Sequence, residues 1–213
     1  TAPAEYDITY NQGTGGSGSM PEGTELKAYE ERPYTLPANS FIAPTGQEFD
    51  YWKISTDSEN EYYPGDTFVF TGDATITAVW KDINYTITYV AGSASGGTGA
   101  LAAMATTKKY NENYTVSNNH PLTRDGYRQT GWSRTGEKDD NTGKETEPIV
   151  VTDNIILSPV WIQTFTVTYV AGSATGGKDD YPIVLTYDKG AIHTVSTLFP
   201  LTKSGYRQTG WSR

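Results

Sequence analysis

Cysteine is absent from all 213 residues. That excludes disulfide staples, thiol catalysis and thiolate metal sites. Histidine is nearly absent too, with only His120 and His193. No apolar run approaches the ~18 residues of a membrane-spanning helix, so no membrane insertion is expected. No leader-like segment opens the chain, which predicts a mature form or an excised piece of something longer. Basic residues are scarce early on. Residues 1–82 carry 4 Lys/Arg against 14 Asp/Glu, a net of −10, whereas residues 83–213 carry a net of +1. Without a basic patch there are no counterions to release, so no nucleic-acid partner is expected. The acidic first part reads as a solubility device, with a cationic partner or a weakly held divalent ion as the sharper alternative.

What is present is repetition. GYRQTGWSR stands at 126–134 and again, unchanged, at 205–213. YVAGSA stands at 89–94 and at 169–174, and a diverged copy (DITYNQG, then GQEFDYW) precedes both. Tyr10, Tyr89 and Tyr169 are 79 and 80 positions apart; Trp52, Trp132 and Trp211 are 80 and 79 apart. A period of this length predicts tandem small domains at 1–82, 83–162 and 163–213. A unit of ~80 residues buries only about 60–65% of its unfolded surface. Sixteen Tyr and five Trp fit a core built from large aromatics.

Each copy opens with strict alternation: Tyr6, Ile8, Tyr10; Tyr85, Ile87, Tyr89; Phe165, Val167, Tyr169. That is the pattern of a half-buried strand. A Gly/Ser-rich loop and a second strand follow. The next stretch (34–42, 114–122, 194–201) reads as a short helix or 3₁₀ turn with an extended exit. A third strand runs from Gly46, Gly126 or Gly205 through the Trp, then comes a polar loop. A last strand closes on Trp80 or Trp161. Pro159 cannot donate to a ladder, which predicts an edge or a bulge there. The third copy stops before a closing strand. Residues 163–213 are therefore expected to expose a sheet edge, to pair with another chain or to be the least stable part, and the natural chain is expected to continue.

Candidate chemistry is thin. GSATGGK at 172–178 has phosphate-loop spacing, but Asp179 and Asp180 follow it and copy two has Thr98 in place of the Lys; a hairpin loop is the better reading. Asp57, Glu59, Glu61 and Asp66 offer hard oxygen ligands for a weak divalent ion, yet they alternate as on a solvated strand. Asp139, Asp140, Asn141, Glu145 and Glu147 read alike. His120 and His193 are not at equivalent repeat positions. No catalytic, cofactor or metal residue is assigned, and no enzyme or cofactor is expected. Arg128 and Arg207 are candidates to stack on aromatics. Tyr62 and Tyr63 are candidates for an exposed aromatic contact.

The Tyr-x-Ile/Val-x-Tyr opening, the Gly-rich loop, the Gly-Tyr…Gly-Trp core and the closing Trp resemble the Listeria–Bacteroides repeat, the family of the internalin B-type B-repeat. Two complete copies and one truncated copy carry the resemblance. Copy one departs at Gln47 and Tyr51, and copies two and three have Gln129 and Gln208 where Phe is the family residue. The resemblance implies a mainly β (α+β) fold of tandem β-grasp-like domains, each a mixed sheet with a short helix or turn. It implies a non-enzymatic, extracellular module of the bacterial cell surface or cell wall. The absence of cysteine agrees with an exported bacterial protein but does not select one.

Function is therefore expected to be that of a spacer or stalk with a protein-interaction or adhesion surface, its partner an unknown protein or cell-surface ligand. The alternative is a carbohydrate-binding array using exposed Trp52, Trp132 and Trp211.

Overall fold

The computed structural model describes residues 2–177, 180–195, 197 and 199–213. Lys178 and Asp179, at the end of the phosphate-loop lookalike, lie outside them. The chain is mainly β. Its elements are β1 (Glu5–Asn11), β2 (Lys27–Tyr29), β3 (Pro33–Thr35), β4 (Gln47–Ile54), β5 (Asp57–Tyr62), β6 (Thr67–Val69), β7 (Ala74–Asp82) and β8 (Asn84–Tyr89). A 3₁₀ turn (Thr98–Ala100) and α1 (Leu101–Met104) come next. Then follow β9 (Thr106–Lys109), β10 (Asn113–Tyr114), β11 (Tyr127–Ser133), β12 (Ile149–Val150), β13 (Ile155–Tyr169), β14 (Gly176–Gly177), β15 (Ile183–Asp188) and β16 (Leu201–Thr202).

Contacts divide the chain into two compact units: Thr1–Thr86 with Thr107–Tyr114 and Ile149–Asn154, and Ile87–Thr106 with Thr115–Pro148 and Ile155–Arg213. The division at 82 and 162 follows the sequence period, whereas contacts follow shared strands.

The first unit holds the sheet β2-β1-β7-β4-β5. Alternation in β1 and β7 turns Ile8, Ala74, Ile76 and Ala78 inward. They pack with Tyr34, Leu36, Phe41, Trp52, Ile54 and Phe70. Opening strand β1 lies parallel to closing strand β7, from Ile8 beside Ala74 to Asn11 beside Thr77. Parallel neighbours need a long crossover, and residues 12–73 supply it. On its other side β7 pairs antiparallel with β4 from Gln47↔Asp82 to Ile54↔Ile76, with a bulge between Phe49 and Tyr51.

The second unit repeats this plan around β13. Strand β8 lies parallel to it (Ile87↔Ile155 to Tyr89↔Leu157), and β11 lies antiparallel with a bulge between Gln129 and Gly131. Beyond Gln163 the same strand pairs antiparallel with β15, from Thr164↔Asp188 to Tyr169↔Ile183.

Three local expectations change. The stretch 34–42 keeps the expected extended exit but has no helix or 3₁₀ turn before it: β3 pairs with β6, and Leu36 N–H bonds Asp66 O. The α-helix among the described residues is instead α1, between the Gly-rich loop of copy two and its second strand. The acidic segment 57–62 is a strand, paired with β4. Pro159 is not on an edge strand. Its neighbour β8 ends short of it, at Tyr89 beside Leu157, Lys138 N–H reaches its carbonyl at 3.2 Å, and the bulge lies in the facing strand β11.

Candidate functional site

Each copy is organised around one Tyr–Trp pair. Tyr10 meets Trp52 edge-on with ring centres 5.6 Å apart, Tyr89 meets Trp132 at 4.7 Å and Tyr169 meets Trp211 at 4.8 Å. Trp52 Nε1 donates to Pro37 O and Trp132 Nε1 to Asn119 O, so each buried indole has its partner. Trp52 is 0% exposed and Trp132 1% exposed, which removes both as sugar-stacking platforms. Trp161 is also buried, and Trp80 packs on the core half-buried.

The Gly-rich loop folds over the closing Trp. Trp80 Nε1 donates to Gln12 O. A side chain on Gly16 would stand 2.2 Å from that carbonyl, and one on Gly13, whose φ is +71°, would stand 2.1 Å from Ala78 O. Glycine is required at both by close approach. In copy two the carboxylate of Glu137 takes that role. It accepts from Trp161 Nε1 and from the amide and hydroxyl of Ser93.

Copies one and two fill one core position differently. Phe49 packs on Trp52 and Trp80. Its counterpart Gln129 is buried and accepts from Leu122 N–H at 3.0 Å. A hydrogen bond thus replaces aromatic packing.

Repeat junctions recur as well. Ile83 N–H bonds Gly46 O, and Thr164 N–H bonds Gly126 O. Asp82 accepts from Gln47 and pairs with Lys109 at 2.7 Å; Asp188 accepts from Nε and Nη2 of Arg128. The Gln47 and Lys109 contacts lower the Asp82 pKa, and the Arg128 guanidinium lowers that of Asp188. At the base of each parallel pair a side chain extends the ladder: Asp73 accepts from Asp7 N–H, and Asn154 from Thr86 N–H, both at 2.8 Å.

The sequence candidates fall as follows. Asp57 accepts from Tyr62 and Asn60, and the Tyr62 phenol is pushed up to about 12 by that bond. Glu61 accepts from Tyr63, and Asp66 accepts the Tyr63 amide. Glu59 accepts from Ser58. Among the described residues no three or more of these groups converge as metal ligands would. Of the second acidic set, Asp139 pairs with Arg124, Asp140 holds Thr142, Asn141 meets Lys144 and Glu145 pairs with Arg134. Glu147 is exposed. His193 shares a 2.7 Å hydrogen bond with Tyr169 inside copy three. His120 is exposed, and partial burial of its ring with nearby Lys144 and Arg128 lowers its pKa.

Stacking falls to a different arginine. Arg128 makes the ion pair to Asp188, while Arg124 lies over Tyr127 at 3.9 Å. Tyr63 is exposed, but Tyr62 packs edge-on against Phe68. Sequence reasoning missed Glu137, Asp73 and Asn154. For the last two a signal existed, since both stand immediately before the closing strand of their copies.

Two open cavities accompany these features. One of about 660 Å³ lies along β1, lined by Ile8, Tyr10, Gly18, Met20, Leu26 and Phe41 among others. The other, about 440 Å³, is lined by Ser93, Arg124, Glu137, Lys138, Asp139 and Asp140. The first is lined by no charged side chain; in the second, Arg124 pairs with Glu137 and Asp139, and the Glu137 carboxylate that accepts from the Ser93 hydroxyl is also engaged by Trp161 Nε1 and the Ser93 amide.

A tandem, aromatic-cored β-rich module with recurring strand junctions is thus the class that fold and site define. The Listeria-Bacteroides repeat domain matches residues 6–79 and 85–158, and the chain belongs to that family. Tandem repeats of this kind occur as modules of bacterial surface or extracellular proteins, and the family is typically non-catalytic. Searches of curated proteins and of solved structures returned no match.

Proposed function

We propose that the chain is a spacer or stalk of a bacterial cell-surface or secreted protein, built of repeats at 1–82, 83–162 and 163–213, without catalysis of its own. One observation carries this reading. The closing strand of copy two runs on as the opening strand of copy three within the 15 residues of β13, with no linker between them. A binding array on flexible tethers needs linkers, whereas a spacer benefits from their absence. The burial of Trp52 and Trp132 supports spacer over sugar-binding array. A protein or cell-surface partner would meet the exposed strand faces, and residues 163–213 offer a strand edge for self-association.

The test is display on a bacterial surface with an epitope tag at the outer end and one, two or three copies beneath it. Access of a bulky antibody conjugate to the tag should rise with copy number. Equal access at every copy number would contradict the reading.

A further inference from the structure

In copy one the chain enters at the start of β1 and leaves at the far end of β7, and these two strands are hydrogen-bonded parallel neighbours. Tension between the two ends pulls β1 toward its start and β7 toward its end. The strands must slide along each other, so the bonds from Ile8↔Ala74 to Asn11↔Thr77 are strained together rather than in turn. The Asp73 carboxylate on Asp7 N–H adds a further bond at the base. On its other flank β7 must also slide past β4, held from Gln47↔Asp82 to Ile54↔Ile76. Copy two has the same arrangement in β8 and β13, with Asn154 on Thr86 at the base and β11 on the flank.

Copy three is built the opposite way. The chain enters the β13–β15 pair at Thr164 and leaves β15 at Asp188, and those residues are partners. Entry and exit lie at the same end of an antiparallel ladder. Tension there opens Thr164↔Asp188 first, then Phe165↔Tyr187, one pair at a time. Among the described residues no strand lies parallel to 164–169.

We propose that each complete repeat is a tension-resisting unit. Parallel entry and exit strands hold a stretched chain in shear, and residues 163–213 yield first. The mechanics rest on strand order alone; that tension reaches the chain in nature rests on the spacer reading above.

Single-molecule pulling tests it. The chain has no cysteine, so attachment points can be placed at will. In the full chain, Ala4→Cys with Asp82→Cys pulls β1 and β7 from opposite ends. Thr14→Cys with Asp82→Cys pulls them from the same end. At one loading rate the first pair should rupture at a force at least about twofold higher, because forced unfolding reads the barrier along the pulled direction. Equal forces, or the reverse order, would overturn the inference. Pulling the unsubstituted chain by its termini gives a second readout that no substitution can disturb. The first rupture should release the length of residues 163–213, and the two later ones should need higher force. A complete repeat rupturing before residues 163–213 would also overturn it. Either negative leaves the spacer reading standing, since reach does not require strength. A negative display result leaves the force ratio unaffected.

Discussion

The nine residues GYRQTGWSR occur twice in one compact unit and end in two different states. At 126–134 they form β11, with Gln129, Trp132 and Ser133 buried. At 205–213 they are not a strand; Tyr206 is 74% exposed and Trp211 half-buried. Local contacts are nevertheless the same in both. Tyr127 N–H bonds Arg124 O and Tyr206 N–H bonds Lys203 O, each at 3.0 Å. Gln129 accepts from Leu122 N–H, and Gln208 from Leu201 N–H. A cation sits over each Tyr ring. Each Trp meets its Tyr edge-on at 79°. The difference is the neighbour: β11 lies along β13, and no strand lies along 207–213 among the described residues. Turn, side-chain bonds and aromatic pair come from the nine residues and their own copy. Strand state and burial come from the partner, as expected where strand preference is mostly packing.

The largest test of that contrast is aromatic truncation. Trp132→Ala should cost copy two about 3–5 kcal/mol, the usual range for a buried large aromatic. Trp211→Ala should cost residues 163–213 only about 1 kcal/mol. Denaturant unfolding followed by hydrogen exchange separates the two regions, and equal losses would break the comparison.

Gln129→Ala strands the amide of Leu122 in a buried site and should cost about 1–3 kcal/mol. Gln208→Ala, at an exposed counterpart, should stay within about 0.5 kcal/mol. Thermal melts of the two variants check this.

The smallest effect is electrostatic. Arg128 lowers the Asp188 pKa, so this pair stabilises the fold fully above the ordinary carboxylate pKa. That contribution is lost as pH falls through the lowered folded value. Asp188→Asn should flatten this part of an acid-unfolding profile. Arg207 has no ion pair among the described residues, so Arg207→Gln should leave the profile unchanged.

Much of this was legible in the sequence. Alternation in Tyr6-Ile8-Tyr10 and its copies gives the opening strands, and the period of the Trp residues gives the recurring core. The family resemblance was legible for the same reason. The start of stretch 34–42 was not, because its extended state depends on β6 and on Trp52 reaching Pro37 O, both distant in sequence. The role of Arg128 was not legible either, since Asp188 lies 60 positions away. Substitution of Phe49 by Gln129 was visible as a departure, but its hydrogen bond to Leu122 was not.

The central claim, that a partner strand decides the state of GYRQTGWSR, is tested most directly by supplying one. Residues 135–161, which follow the segment in copy two, are fused after Arg213, and amide exchange is followed at 206–212. Those amides should gain at least about 100-fold protection and approach the behaviour of 127–133. Unchanged fast exchange at 206–212, with 127–133 still protected, would contradict the account.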